Sequence, residues 1–211
     1  MTTAAASQDF SASALRILEV AERLCAEHGL EAVSTRDIAK EAAVSLSVIY
    51  HHFGSKANLL KTILRRRMAE VGELRTPLFL ELAEQTKPDL GKLLYAIVAP
   101  VALLRARGKQ GEITVAFLSR ALLSTLPEIV EEVDTSVGSL RQVVDIAQRA
   151  VPHLSRVEVC WRLHFTFGIE HMTHWDYERL EIMSDGMAKG HPVEQSIARA
   201  VAFAKAAFLA D

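Results

Sequence analysis

Between Ser34 and Leu60 the chain reads STRDIAKEAAVSLSVIYHHFGSKANLL. The pattern predicts two short helices joined by a tight turn, with a third helix starting at Lys56. Ser34 and Asp37 have the S-x-x-D form of a capping box, so the Ser34 hydroxyl is placed to accept from a free amide at a helix start. Ile38, Ala39 and Ala42 follow at helical spacing and give that helix one apolar side. Ala43-Val44-Ser45 interrupts it, and Ser45 is a suitable N-cap for a second helix over Leu46 to His52. In that helix Ile49 and Phe53, four apart, face inward, which leaves Leu46, Ser47, Val48, Tyr50, His51 and His52 to point elsewhere. Gly54-Ser55 ends the run, and Ser55 caps the helix opening Lys56-Ala57-Asn58. Such an arrangement presents one helix end to the edges of DNA bases.

The remainder predicts an all-α body. Half of the residues are hydrophobic but only 6% are aromatic, and a composition led by Ala and Leu favours helices over a sheet. The longest charge-free apolar run, Leu93 to Leu104, has 12 residues and contains Pro100. A membrane span needs about 18 or more, so the run reads as a buried core helix and no membrane partner is expected. The N-terminus, MTTAAASQDF, has neither a basic region nor an apolar stretch, so no export signal is expected and the location is cytoplasmic. Cys25 and Cys160 stand alone on mostly apolar stretches and read as reduced core thiols. The formal net charge of −2 argues against an obligate polyanion binder. Residues 1–67 hold 9 Lys and Arg against 7 Asp and Glu, and the rest holds 15 against 19. A head that docks through amides, hydroxyls and a few cations does not need a large global charge.

Residues 1–12 are small and polar and read as a flexible arm. A first helix is expected from about Ser13 to His28, with Leu15, Ile17-Leu18, Ala21 and Leu24-Cys25 on one stripe and Gly29 as its stop. After the two short helices, a long one runs from Lys56 to Arg75 or beyond, disturbed near Pro77. Loops at 86–89 and 107–111 bracket a helix over Leu90 to Arg105. Further helices are expected at 112–125, at 128–150 with a weak point near Gly138, and at 155–181. After a loop from Met183, Pro192 occupies the first turn of a last helix ending near Leu209.

The segment resembles the DNA-binding head of TetR-family transcriptional repressors. Thr35, Ile38-Ala39, Val44-Ser45, Ile49-Tyr50, His52-Phe53, Lys56 and Leu59-Leu60 carry the likeness. Upstream, Ile17-Leu18, Ala21, Leu24 and Ala26-Glu27-His28-Gly29 are similar to the first helix of that head. It covers about residues 14–62. Ala43 and Ser47 stand where the family commonly has glycine. If residue 43 needs positive φ, alanine costs on the order of 1 kcal/mol relative to glycine. The resemblance implies a helix-turn-helix domain over 13–57 and an effector-binding and dimerisation domain over 58–211, about nine helices in all. By position in the motif, Arg36, Leu46, Ser47 and Val48 lie nearest the bases, Arg36 with a fork that matches guanine O6 and N7. Ser45 begins the same helix, and His51 faces the groove. Thr35, Tyr50, His52 and Lys56 resemble the family's phosphate contacts. Two of these have a blander reading: Tyr50 as padding of the head's core, His52 as a surface histidine. Arg65-Arg66-Arg67 reads as a solvated or salt-bridged face.

In the body, the helix over 155–181 carries Trp161, His164, Phe167, His171, His174, Trp175 and Glu178. His164, His171, Trp175 and Glu178 fall within about 60° of arc. The stripe is open to three readings: core or dimer seam, one wall of a ligand cavity, or a metal site. The last has only two histidine ligands at H-x-x-H spacing, and no metal or cofactor is expected. Leu82, Tyr95, Val98, Phe117, Leu118 and Leu122, with Trp161, His164, Phe167 and His171, are the candidate lining of an effector cavity for a small, largely apolar molecule. The last helix has Val193, Ile197, Ala200-Val201, Ala204 and Phe208 on one side. The resemblance implies that the last two helices, Trp175 included, pack against their copies as a four-helix bundle. The partners it implies are a second copy of the chain, a palindromic double-stranded operator and a small effector. The chain has no Glu-x-x-His pair, nucleophile elbow, P-loop or dinucleotide fingerprint, so a helical enzyme is disfavoured. A helical protein-interaction module stays as the alternative.

Overall fold

A computed structural model describes residues 10–136, 140–175 and 177–210, leaving aside the side chains of 134–136, 173–175, 177 and 178. Among these residues there are eleven helices and no strand. They are α1 (Ala12–His28), α2 (Thr35–Glu41), α3 (Leu46–Phe53), α4 (Lys56–Ala83), α5 (Leu90–Arg105) and α6 (Lys109–Leu122). Then follow α7 (Pro127–Ser136), α8 (Leu140–Ala150), α9 (Arg156–Trp175), α10 (Tyr177–Met183) and α11 (Val193–Leu209). The chain forms two compact units, Met1–Glu70 with Ala116–Thr135, and Val71–Val115 with Ser136–Asp211. Helices α4 and α6 each contribute to both.

In the first unit, α1, α2 and α3 pack on one another. The α1 stripe of Ile17, Leu18, Ala21 and Cys25 is fully buried, as are Ile38 of α2 and Ile49 of α3. None of the short helices holds itself in water, since isolated helices below about 12–15 residues are marginal; burial of this shared apolar face stabilises them. Two polar contacts fix the frame. Glu22 of α1 is only 1% exposed and accepts from Arg67 Nε and Nη2 at 2.7 and 2.5 Å, while Arg67 also meets Glu70. Arg120, near the end of α6, donates from Nε to the Ala26 carbonyl at 2.9 Å and from Nη2 to that of Glu27 at 3.3 Å. Both carbonyls belong to the last turn of α1, where a cation is electrostatically favoured.

In the second unit, α5 is the central element and packs against α8, α9 and α11. The apolar run is buried along most of its length, from Leu93 to Leu104. Small residues set the distance between α5 and α11: Ala99 and Ala102 cluster with Ile197, and Ala200, Ala204 and Phe208 join the larger core. Gly111 opens the next turn of chain against α5. A Cβ there would lie 2.1 Å from the Leu104 carbonyl oxygen, so no other residue fits without moving backbone. Arg75 of α4 donates from Nη2 both to Glu170 of α9 at 2.7 Å and to the Ile97 carbonyl at 3.0 Å. Burial nonetheless pushes the Glu170 carboxyl up to about 7, with Arg75 opposing that rise.

Several boundaries differ from the sequence expectations. Helix α4 runs 28 residues through Pro77 to Ala83. The α5–α6 connection is shorter than 107–111, because α6 starts at Lys109. The stretch 128–150 holds two helices, with Gly138 outside the described residues, and 155–181 holds α9 and α10, with Asp176 outside them. These divisions account for eleven helices where nine were expected. Pro192 precedes α11 as its cap residue. Residues 10–12, read as part of the arm, are held instead: Ser11 caps α1, which starts at Ala12, and Phe10 lies under the Arg66 guanidinium at 5.4 Å, while residues 1–9 lie outside the described residues. Of the two cysteines only Cys25 is a core thiol; Cys160 is exposed.

Removing one partner of a buried ion pair strands the other charge, so Arg67→Met is expected to cost about 3–5 kcal/mol in urea unfolding. The double variant Glu22→Leu with Arg67→Met is expected to recover most of that loss. The Glu170 shift has a definite sign. Its folded carboxyl holds a proton to higher pH than the unfolded chain does, so it contributes stability at low pH that declines as pH rises from about 4.5 to about 7. Unfolding curves collected across that window are expected to lose this component of slope in Glu170→Gln.

Candidate nucleic-acid interface

The geometry of the head is set by its caps. Ser34 Oγ accepts from the Asp37 amide at 3.2 Å while the Asp37 carboxylate accepts from the Ser34 amide at 3.0 Å, closing the capping box. Hydrogen bonding to Ser34 holds the Asp37 carboxyl below its usual range. Helix α2 then ends in a Schellman turn: Val44 N–H donates to the Ala39 carbonyl at 3.0 Å and Ala43 N–H to that of Lys40 at 3.2 Å. Ala43 sits at the left-handed position of this turn with φ +52°. Ser45 stands at the N-cap of α3, but its hydroxyl lies 2.7 Å from Ser47 Oγ and caps no amide. At the other end Gly54, with φ +73°, closes α3 through an N–H bond to the Tyr50 carbonyl at 2.9 Å. Ser55 accepts from the Asn58 amide at 3.1 Å and starts α4.

Within α3, Ile49 and Phe53 are buried and the opposite face is open. Ser47, Tyr50 and His51 are exposed and fall within about 100° of arc. Val48 and His52 flank them on one side, and half-buried Leu46 on the other. Tyr50 is 49% exposed, so it does not pad the core. Arg36, in the first turn of α2, is exposed, and Thr35 beside it is half-buried. His52 Nε2 lies 2.9 Å from Ser13 Oγ, which ties the end of α3 to the start of α1. Lys56 donates to the Glu31 carbonyl at 3.4 Å. Of the arginine run, Arg65 forks onto Glu132 at 2.7 and 2.6 Å and Arg67 joins Glu22, so two of the three are salt-bridged.

The residues nominated for the effector cavity are dispersed. Leu82 and Tyr95 line a cavity of about 730 Å³ in the second unit, together with Leu78, Leu103, Ile197 and Val201. Val98 is fully buried and Phe167 packs on the core. Trp161 and His164 line a separate groove of about 470 Å³ with Val157 and Cys160. His171 is half-buried, and desolvation lowers its pKa. Phe117 and Leu118 are buried in the first unit, where Leu122 is exposed. Among the described residues no cluster of three or more His, Cys, Asp or Glu is placed to hold a metal.

The nominated dimer face also needs correction. Ile197, Ala200, Ala204 and Phe208 are buried against their own chain, and Val193 and Val201 pack beside them. The Trp175 side chain lies outside the described residues. Exposed apolar surface on these helices falls elsewhere. Val157, Trp161, Phe165 and Met172 are all more than half exposed on α9, Trp161 stacks on Phe165 at 5.7 Å between ring centroids, and Phe203 of α11 is 68% exposed. The signal was present as an i, i+4, i+8 series in α9 but was read through its histidines instead.

An amphipathic α3 held by its neighbours with one polar-aromatic face outward defines a helix-turn-helix protein. Residues 17–63 match the family described as bacterial regulatory proteins, tetR family, and residues 95–207 match a tetracyclin repressor-like C-terminal domain. The second match alone spans more than half of the chain, and the chain belongs to the tetR family of bacterial regulatory proteins. Membership places it among regulators and not enzymes. It is 45% identical over 58 residues to the HTH-type transcriptional repressor AcnR of Corynebacterium glutamicum, covering 26% of this chain and 31% of that protein. Over 49 residues it is 45% identical to the repressor KstR2 of Rhodococcus jostii, 23% of this chain and 24% of that one. The chain thus matches less than a third of the length of these curated relatives. A longer match, 26% identical over 160 residues, joins it to the HTH-type regulator Mb3439c of Mycobacterium bovis, covering 71% and 72% of the two chains. Among solved structures, a TetR-family regulator from Bordetella parapertussis superposes with TM-score 0.67 at 18% identity, covering 95% of each chain. The fatty acid degradation regulator FadR from Bacillus halodurans gives 0.61 at 15%, covering 93% and 96%. At these identities the structures establish the fold alone.

The left-handed conformation of Ala43 is expected to be improved by glycine. A left-handed L-residue costs about 1–2 kcal/mol, and glycine's extra freedom in the unfolded chain returns about 0.4–1 of that. Ala43→Gly should therefore raise unfolding stability by roughly 0.5–1 kcal/mol, read as a shift of the denaturant midpoint at constant slope, and Ala43→Val should lower it.

Proposed function

We propose that this protein is a homodimeric, ligand-responsive transcriptional repressor acting on a palindromic operator in the cytoplasm. The observation that supports this reading is the open face of α3, where Ser47, Tyr50 and His51 stand clear of the core that holds Ile49 and Phe53. Residues 13–57, with Ser11 and Ala12 starting their first helix, are the reading head, and 58–211 the effector-binding and dimerisation part. Arg36, Ser45, Leu46, Ser47 and Val48 approach base edges, while Thr35, Tyr50, His51, His52 and Lys56 meet the backbone and groove wall.

Dimerisation through the last helices uses the exposed series Val157, Trp161, Phe165 and Met172 with Phe203, in place of the inward face of α11. Two-fold symmetry then sets two copies of α3 about 34–36 Å apart, one turn of duplex. A small effector acts by preferring the state in which that spacing is lost, with a coupling of typically 1–3 kcal/mol. Helices α4 and α6, which contribute to both compact units, are the covalent routes for this coupling.

Selection of bound sequences from random duplex DNA is expected to return an inverted repeat, with affinity falling steeply as salt is raised. Repeating the selection with Arg36→Ala should erase preference at one base pair in each half-site and cost about 1–3 kcal/mol. Recovery of no preferred sequence by the parent protein would exclude the operator reading.

A further inference from the structure

The cavity in the second unit is lined by α5 and α11 running in opposite directions. At one end Gly91 and Lys92 open α5 beside Lys205, late in α11; at the other, Leu103 meets Glu194 and Ile197 at the start of α11. A Cβ at Gly91 would lie 3.8 Å from Lys205 Nζ and 3.1 Å from Asp89 Oδ1, the carboxylate that caps α5 by accepting from the Lys92 amide at 2.7 Å. Between the two ends the wall is apolar, with Leu78, Leu82, Tyr95 and Val201. From Gly91 to Leu103 the helix advances about 18 Å. A staggered alkyl chain advances about 1.25 Å per carbon, so about 14 carbons span the same length.

The charges at the ends differ. Lys92 and Glu81 pair at 3.0 Å and cancel, whereas Lys205 forms no ion pair among the described residues. Among the described residues that line the cavity, Glu194 is the charged one at the far end. The acids Glu81 and Asp89 balance Lys92 and Lys205 in number at the first end, so an anion is held there by direct contact with the Lys205 ammonium, while the second end repels one and offers apolar contact through Leu103 and Ile197.

We infer that this groove binds a linear aliphatic monocarboxylate of about 14 carbons, with its carboxylate at Lys205 and its methyl end between Leu103 and Ile197. The inference rests on the ligand-responsive reading above and names the chemistry of the ligand. It also names what the groove rejects. A cationic amphiphile meets Lys205 with the wrong sign, a dicarboxylate brings a second anion to Glu194, and a six-carbon acid leaves most of the wall uncovered.

The test is calorimetric titration of the full-length protein with tetradecanoate below its critical micelle concentration, beside tetradecyltrimethylammonium, tetradecanedioate and hexanoate. Tetradecanoate is expected to bind at least about tenfold more tightly than each of the others, the margin that one charge-assisted contact gives. Lys205→Glu is expected to lose at least that factor for tetradecanoate and to gain affinity for the ammonium. Ala202→Trp, at an exposed position on the cavity wall, is expected to abolish binding without altering thermal unfolding. Equal affinity for the head groups, or full binding by Ala202→Trp, would overturn the assignment. A parallel measurement uses operator DNA recovered by selection. If the protein reads DNA selectively but binds no tetradecanoate, the groove assignment alone is overturned. If tetradecanoate binds at this groove and leaves operator affinity unchanged, the assignment is supported and the ligand-responsive reading falls.

Discussion

The orientation of α3 follows from two side chains. Ile49 and Phe53 are the buried residues of an eight-residue helix, and each fully buried side chain of this size contributes about 1.5–3 kcal/mol. A helix of two turns has too little internal stabilisation to persist on its own, so this anchoring determines both that it forms and which way it faces. Everything exposed on α3 is a consequence of that phase. The Schellman turn before it and Gly54 after it limit the helix so that the phase cannot drift. A His52–Ser13 contact then ties it to α1.

The second unit is organised by a different constraint, the near-complete burial of α5. A helix covered on nearly all sides requires partners on several faces, and α8, α9 and α11 supply them. Alanines at 99 and 102 on α5, and at 200 and 204 on α11, keep the two helices close where they cluster. Longer side chains, Tyr95 and Leu78 among them, line the cavity in the same unit. The half-buried Arg75–Glu170 contact adds a polar link from α4 to α9 within the same unit.

The features most legible in the sequence were those with local causes. Asp89 caps α5 and Arg105 ends it, as the flanking loop residues indicated. The capping box at Ser34 and the inward pair in α3 followed from spacing alone. The left-handed need at Ala43 was visible only as a condition, since an alanine does not announce positive φ. Pro77 was less informative: a proline disturbs a helix, but here α4 continues past it. The face of α11 was misassigned for a clear reason. That helix carries apolar or small residues around most of its circumference, so Phe203 and Phe208, five apart, point to opposite environments and pattern alone could not choose between them. The groove end at Lys205 left no local mark, because Gly91 and Lys205 are brought together only by tertiary packing.

The two cysteines have become chemically unequal through folding. Cys25 is enclosed in the first unit, where desolvation pushes its thiol up to about 11, so at neutral pH it offers almost no thiolate to an electrophile. Cys160 faces solvent on α9, one residue from Trp161. A maleimide or spin label offered to the folded but unpaired chain therefore reports from α9 alone, beside an indole whose fluorescence it can quench, while labelling of the second sulfur marks the loss of native packing around α1.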